Sequence, residues 1–108
     1  ARHVCACVLK NNQVRIWDIR KQRCAYTLPA HSALVADVRY SRTSGEVLVS
    51  ASFDNSAKVW STRDWSLLRT LSGHEGKVRL IGAEVVGRKI VTCSFDRTVK
   101  VWAHENEF

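Results

Sequence analysis

Proline is nearly absent from this chain and glycine is scarce: 1 Pro and 5 Gly in 108 residues. That excludes collagen-like and low-complexity chains, which need far more of one or the other. No apolar stretch approaches the roughly 18 residues that a membrane-spanning helix requires. Nor does Ala1–Lys10 show the charged start and long apolar core of a secretory leader; a targeting segment, if there is one, lies upstream of Ala1. Acidic residues are the minority, 10 against 17 Lys+Arg, for a formal charge of +7. Such a balance favours an anionic or acidic neighbour and says nothing about fold. The length suits one small domain or a piece of a larger one.

The four cysteines, Cys5, Cys7, Cys24 and Cys93, lack metal spacing. Cys5 and Cys7 are only two apart, whereas a zinc pair has two to four intervening residues and a second pair downstream. On a strand the two would share one face, as small buried hydrophobes do. Reduced, packed thiols in a reducing compartment are the expectation, with zinc or disulfide roles as alternatives.

What is present is a repeat. Trp17, Trp60 and Trp102 are spaced by 43 and 42 residues, Asp54 and Asp96 by 42, His31 and His74 by 43. Short β-branched or alternating runs separated by turn residues predict ten strands and little or no helix. They are Val4–Leu9, Val14–Ile19, Cys24–Leu28, Leu34–Tyr40, Val47–Phe53, Ala57–Ser61, Leu67–Leu71, Val78–Glu84, Ile90–Phe95 and Thr98–Ala103.

A period near 40–45 with a Gly-His start and a Trp-Asp end resembles the WD-repeat family, in which four strands make one propeller blade. Gly73-His74 and Trp17-Asp18 supply the two signatures literally, whereas Trp60-Ser61 and Trp102-Ala103 depart from the second. The resemblance implies an all-β WD40 β-propeller fragment of about two and a half four-stranded antiparallel blades. Residues 1–30 would be an incomplete blade holding its last three strands, 31–73 a complete repeat, and 74–108 a final repeat without its outer strand. Propellers close with about four to eight blades. The chain is therefore expected to belong to a larger ring, or to associate with copies of itself to close one.

The repeated polar residues form two sets: His31, Ser52, Asp54 and Trp60, then His74, Ser94, Asp96 and Trp102. Serine, histidine and aspartate invite comparison with a nucleophilic triad. An active site rarely recurs in register within one short chain, however, and an indole has no use in acyl transfer. Outside these sets stand only His3 and His104, too little for a second catalytic centre. The resemblance implies instead a structural chain from aspartate to histidine, histidine to serine and serine to the indole N–H, each group satisfying the next. The first unit has Asn11 at the aspartate position and Leu9 at the serine position. It is expected to lack this network and to be the softest of the three.

Loops alternate between two rims. One rim gathers Arg20, Lys21, Arg23, Arg42, Arg63, Arg88 and Lys89, a footprint for phosphate or acidic protein, or simply a solvated face. No aromatic pair interleaves with these cations as a base-stacking platform would. Trp65, outside the repeat position, is either an interface anchor beside Arg63 or a ring folded over its own blade.

The stretches TLPAHSALVADVRY, FDNSAKVWSTRDWSLLRTLSGHEGKV and IVTCSFDRTVKVWAHENEF are similar to the last blades of the WD-repeat splicing factors of the U4/U6 small nuclear ribonucleoprotein. The similarity covers about residues 23–108, and Val78–Lys89 departs from it by lacking an aspartate-rich turn. It implies a nuclear, non-catalytic scaffold in the U4/U6 and U4/U6·U5 particles, without cofactor, metal, membrane or small-molecule substrate. Its partners would be other particle proteins, with U4/U6 RNA reached through the basic rim. The ending Trp17-Asp18-Ile19-Arg20 also fits substrate receptors of cullin-type ubiquitin ligases, although Asn11 stands where an acidic residue is expected.

Overall fold

A computed structural model describes residues 4–8, 12–40, 47–75, 78–82, 89–94 and 96–103. The described residues form ten strands and no helix. They are β1 Val4–Val8, β2 Val14–Asp18, β3 Arg23–Leu28, β4 Val35–Tyr40, β5 Val47–Ser52, β6 Ser56–Ser61, β7 Leu67–Ser72, β8 Val78–Gly82, β9 Lys89–Ser94 and β10 Val99–Ala103. Every pairing is antiparallel between sequence neighbours, and they make three sheets: β1-β2-β3, β4-β5-β6-β7 and β8-β9-β10. Their number and order are those expected of about two and a half four-stranded antiparallel propeller blades.

The second sheet is sandwiched between the other two. Strands β1, β4 and β8 lie side by side along its inner end. Val47, Val49, Ala51, Ala57, Val59 and Leu71 face the third sheet and pack with Ile90 and Trp102. Val35, Leu48 and Trp60 face the first and pack with Val14, Ile16, Leu28 and Ala30. Strand β5 is consequently buried on both faces along its whole length. A strand covered on both sides reads as a continuous run of small and β-branched residues, as Val-Leu-Val-Ser-Ala-Ser does. Strand β2 alternates instead: Val14 and Ile16 point inward while Arg15 and Trp17 point out.

Each outer pairing breaks register beside its tryptophan, at Ile16/Trp17 in the first sheet and at Val59/Trp60 in the second. A bulge there adds local twist. The antiparallel order sends the turns at 19–22 and 62–66 to one rim. The opposite rim carries the turns at 53–55 and 96–98 and the approaches to His31 and His74.

Candidate functional site

The second sheet joins its polar residues into one continuous relay. The indole N–H of Trp60 donates to Ser50 Oγ (3.0 Å), and Ser50 Oγ lies 2.8 Å from His31 Nε2. His31 Nδ1 lies 2.8 Å from Asp54 Oδ2. An indole only donates and a carboxylate only accepts, so the Ser50 hydroxyl donates to Nε2 and Nδ1–H donates to Asp54. Asp54 also accepts from Ser32 N, Ser56 N and the Ser56 hydroxyl. The carboxylate thus ties the segment entering β4 to the turn between β5 and β6.

The third sheet repeats the arrangement. Trp102 Nε1 donates to Thr92 Oγ1 (2.9 Å), which sits 2.7 Å from His74 Nε2. His74 Nδ1 reaches Asp96 Oδ2 at 3.3 Å and Thr98 Oγ1 at 3.0 Å, so this copy shares its N–H between two acceptors. Asp96 further accepts from Glu75 N, Thr98 N and the Thr98 hydroxyl. Gly73, just before His74, has φ 141, and an added Cβ would meet Trp102 Cη2 at an ordinary 3.6 Å. Backbone conformation, not space, calls for glycine there.

One part of the sequence reading is corrected. The hydroxyl between histidine and indole belongs to Ser50 and Thr92, not to Ser52 and Ser94. Strand register is the reason. Leu48 stands opposite Trp60 and Ile90 opposite Trp102. The same-face residue two further on, Ser50 or Thr92, is the diagonal neighbour the indole can reach, and Ser52 and Ser94 lie two residues beyond. Ser52 instead donates to Leu34 O (2.8 Å) and accepts from Asp54 N (3.0 Å). Ser94 accepts from Asp96 N (3.3 Å). Both serines shape the turn that presents the aspartate. The sequence also conceals the hydroxyls of Ser56 and Thr98, although a hydroxyl residue two after each aspartate was there to be read.

Ser50, His31 and Asp54 have the distances of a nucleophilic triad, yet Ser50 and Thr92 are both 0% exposed. The hydroxyl oxygen of each is already an acceptor for an indole N–H. No substrate carbonyl can approach it, so the relay acts as a strut. Its electrostatics fit that role. Burial pulls His31 below the ordinary imidazole range, against the opposing pull of Asp54. Burial would raise Asp54, but hydrogen bonds from Ser56, His31 and Ser32 outweigh it and hold the carboxyl low. The Thr98 hydroxyl and the backbone N–H of Glu75 hold Asp96 far below its usual range.

The basic rim is the second feature. Arg20, Lys21, Arg23 and Arg63 are exposed. Arg42 and Arg88 lie outside the described residues, and Lys89 is placed only as the first residue of β9. Asp18 Oδ1 accepts from Arg20 N and Lys21 N, both at 3.0 Å, and the Lys21 bond is the main cause holding its carboxyl low. Asp64 Oδ1 accepts from the Ser66 hydroxyl (2.7 Å) and backbone (3.1 Å), with the same effect.

Trp65 is not a free-standing anchor. It packs partly buried against the core shared by the first and second sheets, and its ring centroid is 6.0 Å from that of Tyr26, tilted by 46°. The indole therefore folds back, across the seam to the neighbouring sheet. Its φ is +60, matched by Gln22 at +53 in the corresponding turn of the first sheet.

Cys24 is a free thiol close to Tyr26 O; the side chains of Cys5, Cys7 and Cys93 lie outside the described residues. Among the described residues no three His, Cys, Asp or Glu side chains converge as a metal site would require, and no helix is long and apolar enough to cross a membrane.

The profile of the family described as "WD domain, G-beta repeat" matches residues 22–61 and 65–103. Nuclear distribution protein nudF 1 of Talaromyces marneffei is 40% identical over 70 residues, 63% of this chain and 15% of that protein. Human WD repeat and SOCS box-containing protein 1 is 31% identical over 71 residues, 65% of this chain and 17% of its own length. The ribosome biogenesis protein WDR12 homolog of Nematostella vectensis is 36% identical over 72 residues, 63% of this chain and 17% of that protein. The chain thus spans about a sixth of the length of these relatives, whose names point to different biological roles. What they share with it is the repeat, and with two matched repeats, ten antiparallel strands and two buried relays, this chain belongs to the WD40 family of interaction scaffolds.

Proposed function

We propose that this chain is a non-catalytic docking scaffold of the pre-mRNA splicing machinery, acting in the nucleus within the U4/U6 and U4/U6·U5 ribonucleoprotein particles. The observation that carries the scaffold reading is the sealing of Ser50 and Thr92, the two hydroxyls that bridge histidine and indole. Groups that could do chemistry are occupied in holding sheets together, which leaves the surface for binding. The splicing assignment rests on the sequence similarity over residues 23–108, and above all on the Asp64-Trp65-Ser66 turn. That turn is a closed structure: Ser61 N donates to Ser66 O and Trp65 N to Ser61 O. Companion proteins would dock on the rims, and basic-rim cations that no protein partner covers would meet RNA phosphates with a salt-sensitive affinity.

The lateral faces also enter this reading. Val99 and Val101 are each 60% exposed, whereas their repeat equivalents Ala57 and Val59 are buried against a further sheet. Another blade, of the same polypeptide or of a second copy, would cover them. Affinity purification from nuclear extract tests the assignment. Recovery of base-paired U4 and U6 RNAs is the expected result; recovery of a different complex without them would remove it.

A second reading, a substrate receptor of a cullin-type ubiquitin ligase, is favoured by Trp17-Asp18-Ile19-Arg20 and by a human relative with a SOCS box in its name. Since Asp18 is committed to its own turn, Arg20 would carry the adaptor contact. Capture of a propeller adaptor that is lost in Arg20→Ala would select this reading.

A further inference from the structure

From the outer wall between the first two sheets, we infer a docking site for an acidic protein segment that carries an apolar anchor side chain. The inference rests on the scaffold reading and gives it a location and a chemistry.

The site has an aromatic floor. Tyr26 on β3 is 51% exposed, and Trp65 from the β6–β7 turn leans on it across the seam. The turn requires a left-handed residue at this position, as the corresponding Gln22 shows, and a bulky tryptophan is a strained choice there. Strain of this kind persists where the surroundings enforce it, and it concentrates at binding sites. Here core packing holds the indole, so the shelf is rigid before any partner arrives. A pre-organised aromatic loses little freedom on binding, which is why such side chains serve as interface anchors.

The site also has a charged border. Arg20, Lys21 and Arg23 stand on the β2–β3 side and Arg63 on the β6–β7 side, all exposed. The two carboxylates of these turns, Asp18 and Asp64, each commit one oxygen, Oδ1, to hydrogen bonds within their own turn. Four cations against two carboxylates leave an excess of two positive charges on the turns beside this apolar floor. That complements a segment with acidic residues flanking one large apolar side chain.

RNA fits less well. Base stacking needs an open, flat ring face, and here one ring is half-buried and tilted by 46° against the other. RNA binding at this wall is therefore an outcome that counts against the site.

The test is fluorescence anisotropy of the chain with a labelled acidic peptide of roughly twelve residues bearing a central Phe-Leu pair. The controls are the same peptide with Ser-Ser in place of the pair, and a uridine oligonucleotide of equal length. Tyr26→Ser removes an exposed ring, and Arg23→Glu with Arg63→Glu reverses the border; urea midpoints verify that both variants fold. The expected result is saturable binding of the anchored peptide, weakened about tenfold or more by Ser-Ser, by Tyr26→Ser and by the charge reversal. Absence of saturation up to about 1 mM peptide would overturn the site. So would oligonucleotide binding tighter than the peptide's that is lost in Tyr26→Ser, or peptide binding that ignores Tyr26→Ser. The scaffold reading fails separately, if the unmodified chain captures no particle protein; if capture survives both variants, only this location is wrong.

Discussion

The first and second sheets have the same strand order over the three strands they share, the same bulge beside the tryptophan and the same left-handed turn residue. They differ in what their tryptophans do. Trp60 is 7% exposed and locked through Ser50 and His31 to Asp54, whereas Trp17 is 40% exposed. Ten residues before Trp17 stands Cys7, and six before it Asn11, so the first sheet has neither the hydroxyl nor the carboxylate of the relay. Strand formation evidently does not need the relay: alternating apolar residues and turn chemistry suffice. The relay adds a fixed attachment between a sheet and the chain segment entering it.

Replacing the two tryptophans tests that contrast with the largest expected effect. Trp60→Ala should cost about 3–5 kcal/mol, as large aromatic truncations in cores do. Trp17→Ala should cost about 1 kcal/mol or less, as at an exposed site. Urea denaturation measures both, and equal losses would break the comparison. Next in size, Thr92→Val keeps the shape but strands His74 Nε2 and the Trp102 N–H, at about 1–3 kcal/mol. Ser94→Ala should cost less, since Ser94 is only partly buried and its hydroxyl accepts one long bond. A larger loss at Ser94 would return the relay to the serine that sequence alone suggested.

Acid should weaken the second sheet through the relay. The pKa of His31 is depressed when folded, so below about pH 6.5 the unfolded chain binds more protons and stability falls. Asp54 is also depressed, and its contribution is lost as pH falls below about 3.8. Stability should be level from about pH 7 upward and decline in two stages below it, the first stage disappearing in His31→Gln. The first sheet, with no such histidine, sharpens the point if its amide exchange does not follow the upper stage. The smallest effect concerns turns. Asn55 and Arg97 occupy matching left-handed positions, φ 72 and φ 68, and asparagine tolerates that conformation better. Arg97→Asn should therefore stabilise by about 0.5–1 kcal/mol, visible as a raised Tm.

Period and turn chemistry made all ten strands legible, with boundaries displaced by one residue at most where they fall on described residues: Leu34 and Phe53 fall outside β4 and β5, while Ser56 and Ser72 fall inside β6 and β7. The expected ends at Leu9, Glu84 and Phe95 lie outside the described residues. His31, His74, Asp54, Asp96, Trp60 and Trp102 were legible because they recur at a fixed spacing. The bridging hydroxyl was not, because Ser52-Phe53-Asp54 and Ser94-Phe95-Asp96 are identical triplets and drew the alignment, while the true pair differs as Ser50 and Thr92. Spacing marks what repeats; only cross-strand register tells which of two hydroxyls on one face lies beneath the indole. The seat of Trp65 depends on a backbone torsion and on a ring from another sheet, and neither leaves a mark in local sequence.

Trp60 is held by groups of the second sheet yet sits among Val14, Ile16 and Leu28 of the first; Trp102 sits likewise among residues of the second. Each blade's own latch thus finishes its neighbour's interior. Damage to one latch should spread to the adjacent blade before it reaches the next, so the array should come apart as a chain of nearest-neighbour steps, in the manner of a one-dimensional cooperative lattice.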